Sequence, residues 1–176
     1  MLGASGAVGL IGVQAAKLLG AGQVIAAARN AVGLDRARAL GADAVVQLEA
    51  VDDLAGAFRQ VAGDGFDVIL DPLWGEPAAA AIAAANVNAR LVQLGQSAGA
   101  RSSIASADVR GKLVDIRGHT TVRAPFPVRE ASWRAMTAHA LRGELQVELE
   151  RVSLADTAVA WKRQAASPHR KLVIVP

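Results

Sequence analysis

Short apolar runs alternate with longer segments of helical period over the first two-thirds of the chain. Residues 24–28, 44–47, 66–71, 90–94 and 113–117 are rich in Val, Ile and Leu, too short for helices and apolar on both faces, which predicts buried parallel strands. Between them, residues 7–19 are apolar on nearly every side and end at Gly20, while 32–40 follow Asn30 as a capping residue and stop at Gly41. Residues 52–61 begin with a capping Asp and end before Gly63, and the alanine-rich stretch 77–85 opens on Pro77, which a first helical turn tolerates. This alternation predicts a parallel sheet with helices on both faces, joined by right-handed crossovers.

After His119 the rhythm changes. Residues 124–128 carry two prolines, and beyond them Trp133, Met136, Ala140 and Leu141 fall at helical spacing. Residues 146–152 alternate like a half-buried strand. Leu154, Ala158, Trp161 and Ala165 mark another helix, and 171–175 a closing strand. Trp133 and Trp161 are expected to be core residues.

Composition narrows the function classes. The chain has 176 residues, 52% hydrophobic and 3% aromatic, with no Cys and no Tyr. That length suits one domain, or one and part of another, and hides about 70% of the unfolded surface. Without cysteine there is no disulfide framework and no Cys-ligated zinc, so a cytoplasmic location is the default expectation. The net charge of +3 comes from 19 Lys plus Arg, of which 15 are Arg, against 16 Asp plus Glu. The basic residues are scattered singly without interleaved aromatics, so no nucleic-acid surface is expected; a few Arg side chains would instead suit a small anionic ligand. No apolar run reaches the ~18 residues of a membrane span, and no targeting segment is read at the start.

The most informative local feature is the turn Gly3-Ala-Ser5-Gly6-Ala7-Val8-Gly9, which leads directly into the first predicted helix. Glycine is required where a chain turns tightly from strand to helix, where backbone approaches a pyrophosphate, and where the helix lies close on the strand. The helix N-terminus then offers N–H groups and a partial positive charge to an anion. No Gly-Lys-Ser/Thr ending follows, which disfavours a triphosphate loop. At the end of the strand 24–28, where an acid would accept the ribose hydroxyls of NAD, the chain has Arg29-Asn30. Arg29 could pair with a 2′-phosphate, which makes NADP the better fit; the alternative is a solvated strand-end residue.

These features together resemble the C-terminal, cofactor-binding part of the medium-chain dehydrogenase/reductase family, in its branch without zinc that is similar to quinone oxidoreductases. The resemblance runs through GASGAVGLIGVQAAKLLG (residues 3–20), LGADAVV (40–46), FDVILDP (66–72), RLVQLG (90–95), VDIRG (114–118) and RKLVIVP (170–176), and so covers nearly the whole chain. It implies a Rossmann-like doubly wound sheet over residues 1–123 and a segment 124–176 that returns toward a barrel-like, GroES-like substrate domain not contained in this chain. It further implies that Ser5, Gly6, Ala7 and Val8 line the pyrophosphate and that Arg29 and Asn30 meet the adenosine phosphate. Leu73, Gly95, Gln96 and Gly118 would lie along the ribose and nicotinamide.

The resemblance implies hydride transfer from NADPH to a quinone, carbonyl or enone bound through the further domain, in a protein that is a homo-oligomer when complete. Part of a zinc alcohol dehydrogenase, or a dinucleotide-binding sensor or docking module without turnover, are the alternatives. No catalytic residue is assigned. His119, His139 and His169 lie far apart with no paired carboxylates, so no metal site is expected. The absence of Tyr removes the Tyr-Lys pair of the short-chain dehydrogenases, and the serines at 102, 103 and 106 lie in a polar loop without a nucleophile elbow. Only Met1 and Leu2 precede Gly3, so the strand that belongs at the middle of the sheet is expected to be a stub whose neighbours lose ladder partners. Weak stability, a loosely anchored segment from 124 onward and no turnover by the chain alone are the corresponding expectations.

Overall fold

In the computed structural model, which describes residues 1–166, 168 and 170–176, the first four residues run between two small parallel sheets and tie them together. One sheet pairs β1 (Ile25–Ala28) with β2 (Ala44–Gln47); the other has the order β3 (Phe66–Asp71), β4 (Ala85–Gln93), β5 (Asp115–Gly118) with β4 between its neighbours. Leu2 forms a parallel bridge with Ala27. Its N–H donates to the Leu70 carbonyl at 3.0 Å, while the Ala27 and Ala4 N–H groups donate to the carbonyls of Met1 (2.9 Å) and Ala27 (3.0 Å). The order across the molecule is therefore β2, β1, the Met1–Ala4 segment, β3, β4, β5. The short central segment does keep hydrogen bonds to both neighbours.

Both faces of β1 are covered, whereas Val68 of β3, Val87 of β4 and Ile116 of β5 are exposed, so the expectation of strands buried on both faces fails for the second sheet. Ile25 and Ala27 point into a core completed by Leu54, Phe58 and Ala62 of α3 (Leu54–Ala62) and by Ala78, Ala81 and Ile82 of α4 (Gly75–Ala83). Val24, Ala26 and Ala28 point the other way, against Leu10 and Val13 of α1 (Ala7–Leu18) and Leu34 and Ala37 of α2 (Ala31–Ala39). Leu2 and Ala4 split between the same two cores. A strand buried on both faces must be apolar at successive positions, which is why β1 reads as an unbroken Ile-Ala-Ala-Ala run. The fold is thus the doubly wound, Rossmann-like α/β architecture that the alternation predicts.

Several boundaries differ from expectation. The helix expected at 77–85 begins two residues earlier, because Trp74 (φ +58°) and Gly75 (φ +66°) turn the chain before Pro77. The strand expected at 90–94 extends back to Ala85 across an irregularity in its pairing with β3, and Asn88 has φ +63° within it. The strand expected at 113–117 begins at Asp115, since Leu113 sits at φ +53° and ends a turn. A short helix, α5 (Ser106–Gly111), occupies sequence read as loop.

Beyond β5 follow α6 (Phe126–Leu141), β6 (Leu149–Ser153), α7 (Thr157–Ala165) and β7 (Lys171–Val175), with β6 and β7 paired parallel as their own sheet. Pro125 and Pro127 start α6 rather than breaking it. Trp133 and Trp161 are 73% and 78% exposed, which overturns their expected burial. On α7 the inward position is filled by Ala160, 3% exposed, and Trp161 one residue on faces outward.

This segment is tied to the sheet by named bonds. Gln14 is buried on α1, and its side-chain amide reads the backbone of Gln146 in both directions: Nε2 donates to the Gln146 carbonyl (2.9 Å) and Oε1 accepts from the Gln146 N–H (2.7 Å). Arg36 pairs with Glu148 at 3.1 Å, and Glu150 holds Arg163 through two bonds of 2.6 and 2.8 Å. Toward the end of α1, Lys17 pairs with Asp43 and holds its carboxyl below the usual carboxylate range, and the same carboxylate accepts from the Val24 N–H. Against the expectation of a loosely anchored segment from 124 onward, the Gln14 side chain makes a double contact with the backbone at Gln146, just ahead of β6. Gln14→Leu removes it and strands one donor and one acceptor of Gln146, at about 1–3 kcal/mol. Hydrogen exchange is expected to quicken across residues 146–153 while β1 and β3 keep their protection. Uniform quickening throughout the chain would show that the contact does not anchor this segment.

Candidate functional site

The carboxyl ends of the strands and the N-terminus of α1 meet along one edge of the sheet, and this edge holds every residue singled out at the glycine turn and after the strands. Gly3 takes φ +63°, the left-handed region open to glycine, and its N-terminal neighbours are the bridge to β1. Gly6 is the N-cap of α1, no side chain caps that terminus, and no acid stands in its first turn. The N–H groups of Ala7, Val8 and Gly9 have no partner within the helix. They present a bare, positively polarised end suited to a pyrophosphate.

The glycines divide into two kinds. A Cβ on Gly6 would meet only the Gly3 carbonyl oxygen, at 3.8 Å, so the space above it is open. A Cβ on Gly9 would collide with the Gly3 carbonyl oxygen and come within 2.5 Å of Ala4 Cα. Gly6 leaves room for a ligand, whereas Gly9 lets the helix lie on the turn. Gly33 of α2 was not singled out in the sequence and is as tight as Gly9. A Cβ there would run into Ser5 Cβ and come within 2.9 Å of Ser5 Cα. Its spacing from the Asn30 cap is the signal that could have found it.

At the end of β1, Arg29 is exposed and Asn30 is not free. The Asn30 side chain accepts from the Gly33 N–H at 2.6 Å and caps α2, and it is not brought together with the Arg29 guanidinium. The sequence expectation placed no acid beside Arg29. The structure corrects this, because Glu49, at the end of β2, brings Oε1 to 3.6 Å from Arg29 Nη1. Twenty residues separate the pair, and only the parallel register of β1 and β2 makes them neighbours.

The ends of β3, β4 and β5 are laced to each other. Leu73 reaches the glycine turn: a Cβ on Gly3 would lie 3.2 Å from Leu73 Cδ2. A Cβ on Gly95 would come within 2.8 Å of the Pro72 carbonyl oxygen, so glycine is needed for the closeness of these two strand ends. The Leu94 and Ala98 N–H groups donate to the Asp71 and Leu73 carbonyls, both bonds closing the loop after β4 onto the loop after β3. Gln96 is exposed at the start of that loop, and Gly118 is exposed at the end of β5, whose next N–H, on His119, donates to the Gln93 carbonyl at 2.9 Å. His119 and Thr121 open onto an apolar groove of about 520 Å³ walled by Ile11, Val128, Trp133 and Met136. His139 lies away from this edge, against Glu144 and Arg142; His169 lies outside the described residues.

Asp71 is the buried polar residue of this edge. Its Oδ1 accepts from the Leu73 and Trp74 N–H groups at 2.8 and 2.9 Å, and its Oδ2 is buried with no hydrogen-bond partner. Burial pushes the carboxyl above its ordinary range, and the two N–H groups oppose that shift. The bonds to Asp71 hold Trp74 in a backbone region that is nearly glycine-only.

The model of the zinc-binding dehydrogenase family matches residues 7–140. No curated protein matches the chain. Among solved structures, the chain is similar to the Bacillus subtilis protein yhfP with NAD bound, at 23% identity and TM-score 0.81, over 99% of this chain and 53% of that one. It is similar to a quinone oxidoreductase of Pseudomonas syringae pv. Tomato at 20% identity and TM-score 0.81, over 99% and 55%. A third, the yhdH oxidoreductase from Salmonella enterica in complex with NADP, gives 18% identity and TM-score 0.80 over 99% and 53%. The chain spans about half the length of the solved structures it matches. At these identities the likeness establishes the fold, and the open Gly6 cradle beneath a bare helix end fits a nicotinamide dinucleotide. Zinc has no matching donor set here: among the described residues, no three His, Asp or Glu side chains gather. Among them also, no helix is long and apolar enough to cross a membrane.

Gly6→Val is expected to abolish dinucleotide binding while leaving the melting temperature near that of the wild type. Gly9→Val is expected to lower the melting temperature by several degrees, since the helix must lift off the turn. Normal binding by Gly6→Val in a fluorescence titration would show that the pyrophosphate lies elsewhere. For Asp71, a pKa raised on folding favours the native state below the unfolded-chain value, and that advantage is lost as pH rises through the folded value. Wild-type stability is therefore expected to gain on Asp71→Asn, which keeps one oxygen for both N–H groups, as pH falls from neutral into the acidic range. Parallel pH profiles in denaturant melts would remove Asp71 as a source of pH dependence.

Proposed function

Since the chain belongs to the zinc-binding dehydrogenase family, we propose that it is the cofactor-binding part of an oxidoreductase, holding NADPH for hydride transfer to a quinone, carbonyl or enone. The observation that carries this reading is the uncapped N-terminus of α1 over the open space at Gly6, on the edge where all strand ends converge. The bound nicotinamide supplies the hydride; the protein supplies place and orientation. Ser5, Gly6, Ala7 and Val8 cradle the pyrophosphate through backbone N–H groups. Arg29 turns its guanidinium to the 2′-phosphate, and Asn30, which caps α2 through Oδ1, meets the adenosine phosphate beside it with its amide nitrogen.

Leu73, Gly95, Gln96 and Gly118 form the floor on which the second ribose and the nicotinamide lie. Gly118 leaves open space above its backbone for the ligand, whereas Gly95 serves by letting the ends of β3 and β4 approach. The apolar groove beyond His119 takes the body of the hydride acceptor and keeps water from it, which favours an acceptor with few polar groups besides the reducible one. In the whole protein a further domain completes this pocket, and the assembly is a homo-oligomer.

A guanidinium–phosphate bond contributes about 1.5–3 kcal/mol, so NADPH is expected to bind about tenfold or more tightly than NADH, and Arg29→Ala to reduce that ratio toward one. Titrating the chain with each dinucleotide, and following NADPH oxidation with quinones, aldehydes and enones, tests both halves of the proposal. Equal affinities for the two dinucleotides would overturn the NADPH preference.

A further inference from the structure

We propose that Glu49 is the acid of the adenosine end of this site, supplied by β2 in place of the acid that β1 lacks. It accepts the ribose hydroxyls of a cofactor without a 2′-phosphate and opposes one that carries it. The inference rests on the dinucleotide reading above and concerns what sets the choice between the two cofactors.

The geometry follows from the register of β1 and β2. Ala28 pairs with Gln47, and the Leu48 N–H donates to the Ala28 carbonyl at 3.0 Å, so the chain leaves β2 level with Arg29. The Gln47 side chain donates to the Arg29 carbonyl at 3.3 Å and ties the two strand ends together. Glu49 therefore emerges on the same rim as Arg29, 3.6 Å from it, with both side chains mostly exposed (74% for Arg29, 67% for Glu49). Nearby, Asn30 caps α2 through Oδ1 and the Gly33 N–H, and Asp35 pairs with Arg38 at 3.1 Å in a pair also exposed. Arg29 and Glu49 are bound to each other alone among these, in an exposed pair that contributes little and opens readily.

The charges then decide. A 2′-phosphate brought to Arg29 arrives beside the Glu49 carboxylate and must share the one guanidinium with it, so the acid subtracts from what Arg29 contributes. A ribose with free hydroxyls offers two donors. Glu49 can accept them in the way that an acid after the second strand does in sites built for NAD. Arg29 and Glu49 thus form one device in which each side chain recognises one cofactor and tempers the other.

The test is a set of titrations of the chain with NADPH and with NADH, comparing wild type, Glu49→Gln, Arg29→Ala and the double variant, with melting curves recorded for each. Glu49→Gln is expected to weaken NADH about threefold or more and to tighten NADPH about threefold, moving the ratio about tenfold toward NADPH. Glu49→Asp is expected to retain part of the NADH affinity. In the double variant the preference should nearly vanish. A change in both affinities by the same factor, or NADH binding untouched by Glu49→Gln, would overturn the role of Glu49 and leave the dinucleotide reading standing. Failure of the folded wild type to bind either dinucleotide would overturn that reading and this inference together.

Discussion

The closeness of α1 to the turn before it is the constraint on which the rest of the molecule depends. Gly9 has no room for a Cβ between the Gly3 carbonyl and Ala4 Cα, so the helix lies on the turn in one position. That position aims its uncapped N-terminus along the sheet edge, sets Val13 and Leu10 into the core with Ala26 and Ala28, and brings Gln14 to Gln146. The alanines of β1 belong to the same arrangement. Only small side chains on the strand permit helices this near on one face while the other face takes Phe58 and Ile82.

The second requirement is met by backbone rather than by side chains. The candidate ligand edge is built from strand ends that approach one another closely enough for Pro72 to crowd Gly95, and for the loop after β4 to donate hydrogen bonds to the loop after β3. Asp71 locks the first of those loops by accepting from two of its N–H groups, at the expense of burying a carboxylate oxygen with no partner. An uncompensated buried oxygen and a Trp in a glycine region are both unfavourable in isolation. They persist because the turn from Asp71 to Gly75 is held from several sides, including the bond from Ser102 Oγ to the Gly75 carbonyl.

This division explains what the sequence made legible. The strand Ile25–Ala28 was readable because burial on both faces forces an apolar run, and Phe66–Asp71 because its run is aliphatic even though Val68 is exposed; α2 was readable because Asn30 caps it with its own side chain, and α3 because an Asp does, Asp53 rather than the expected Asp52. The start of α4 was not, since Pro77 marks the first turn of a helix but Trp74 gives no sign that it takes φ +58°. The short helix α5 has no side-chain cap and buries nothing, so no pattern announced it. Of the site, the glycine turn was visible as spacing, and the positions after each strand were visible once the strands were placed. Glu49 was invisible for a different reason: nothing within twenty residues of Arg29 in the chain tells which side chain the neighbouring strand will deliver beside it. The tight glycine at 33 was hidden in the same way, behind a contact with Ser5.

The exposed tryptophans carry the same reasoning to the far end of the molecule. A helical spacing of apolar residues predicts a buried stripe only if something lies against it, and α6 has no fully buried residue at all. Val128, Trp133, Met136 and Ala140 instead line a groove that begins at His119, where β5 ends, while Phe126 and Leu141 stay exposed outside it. The hydrophobic signal in this helix is therefore a statement about a cavity and not about a core. The two differ in what a substitution does: in a core, shortening Met136 or Trp133 removes packing and costs stability, whereas on a groove wall it enlarges a space beside the ligand edge and leaves the folded layers untouched. The groove is shaped by α6 together with Ile11 of α1 and His119 beside Gly118, so it adjoins the candidate cofactor edge rather than standing apart from it.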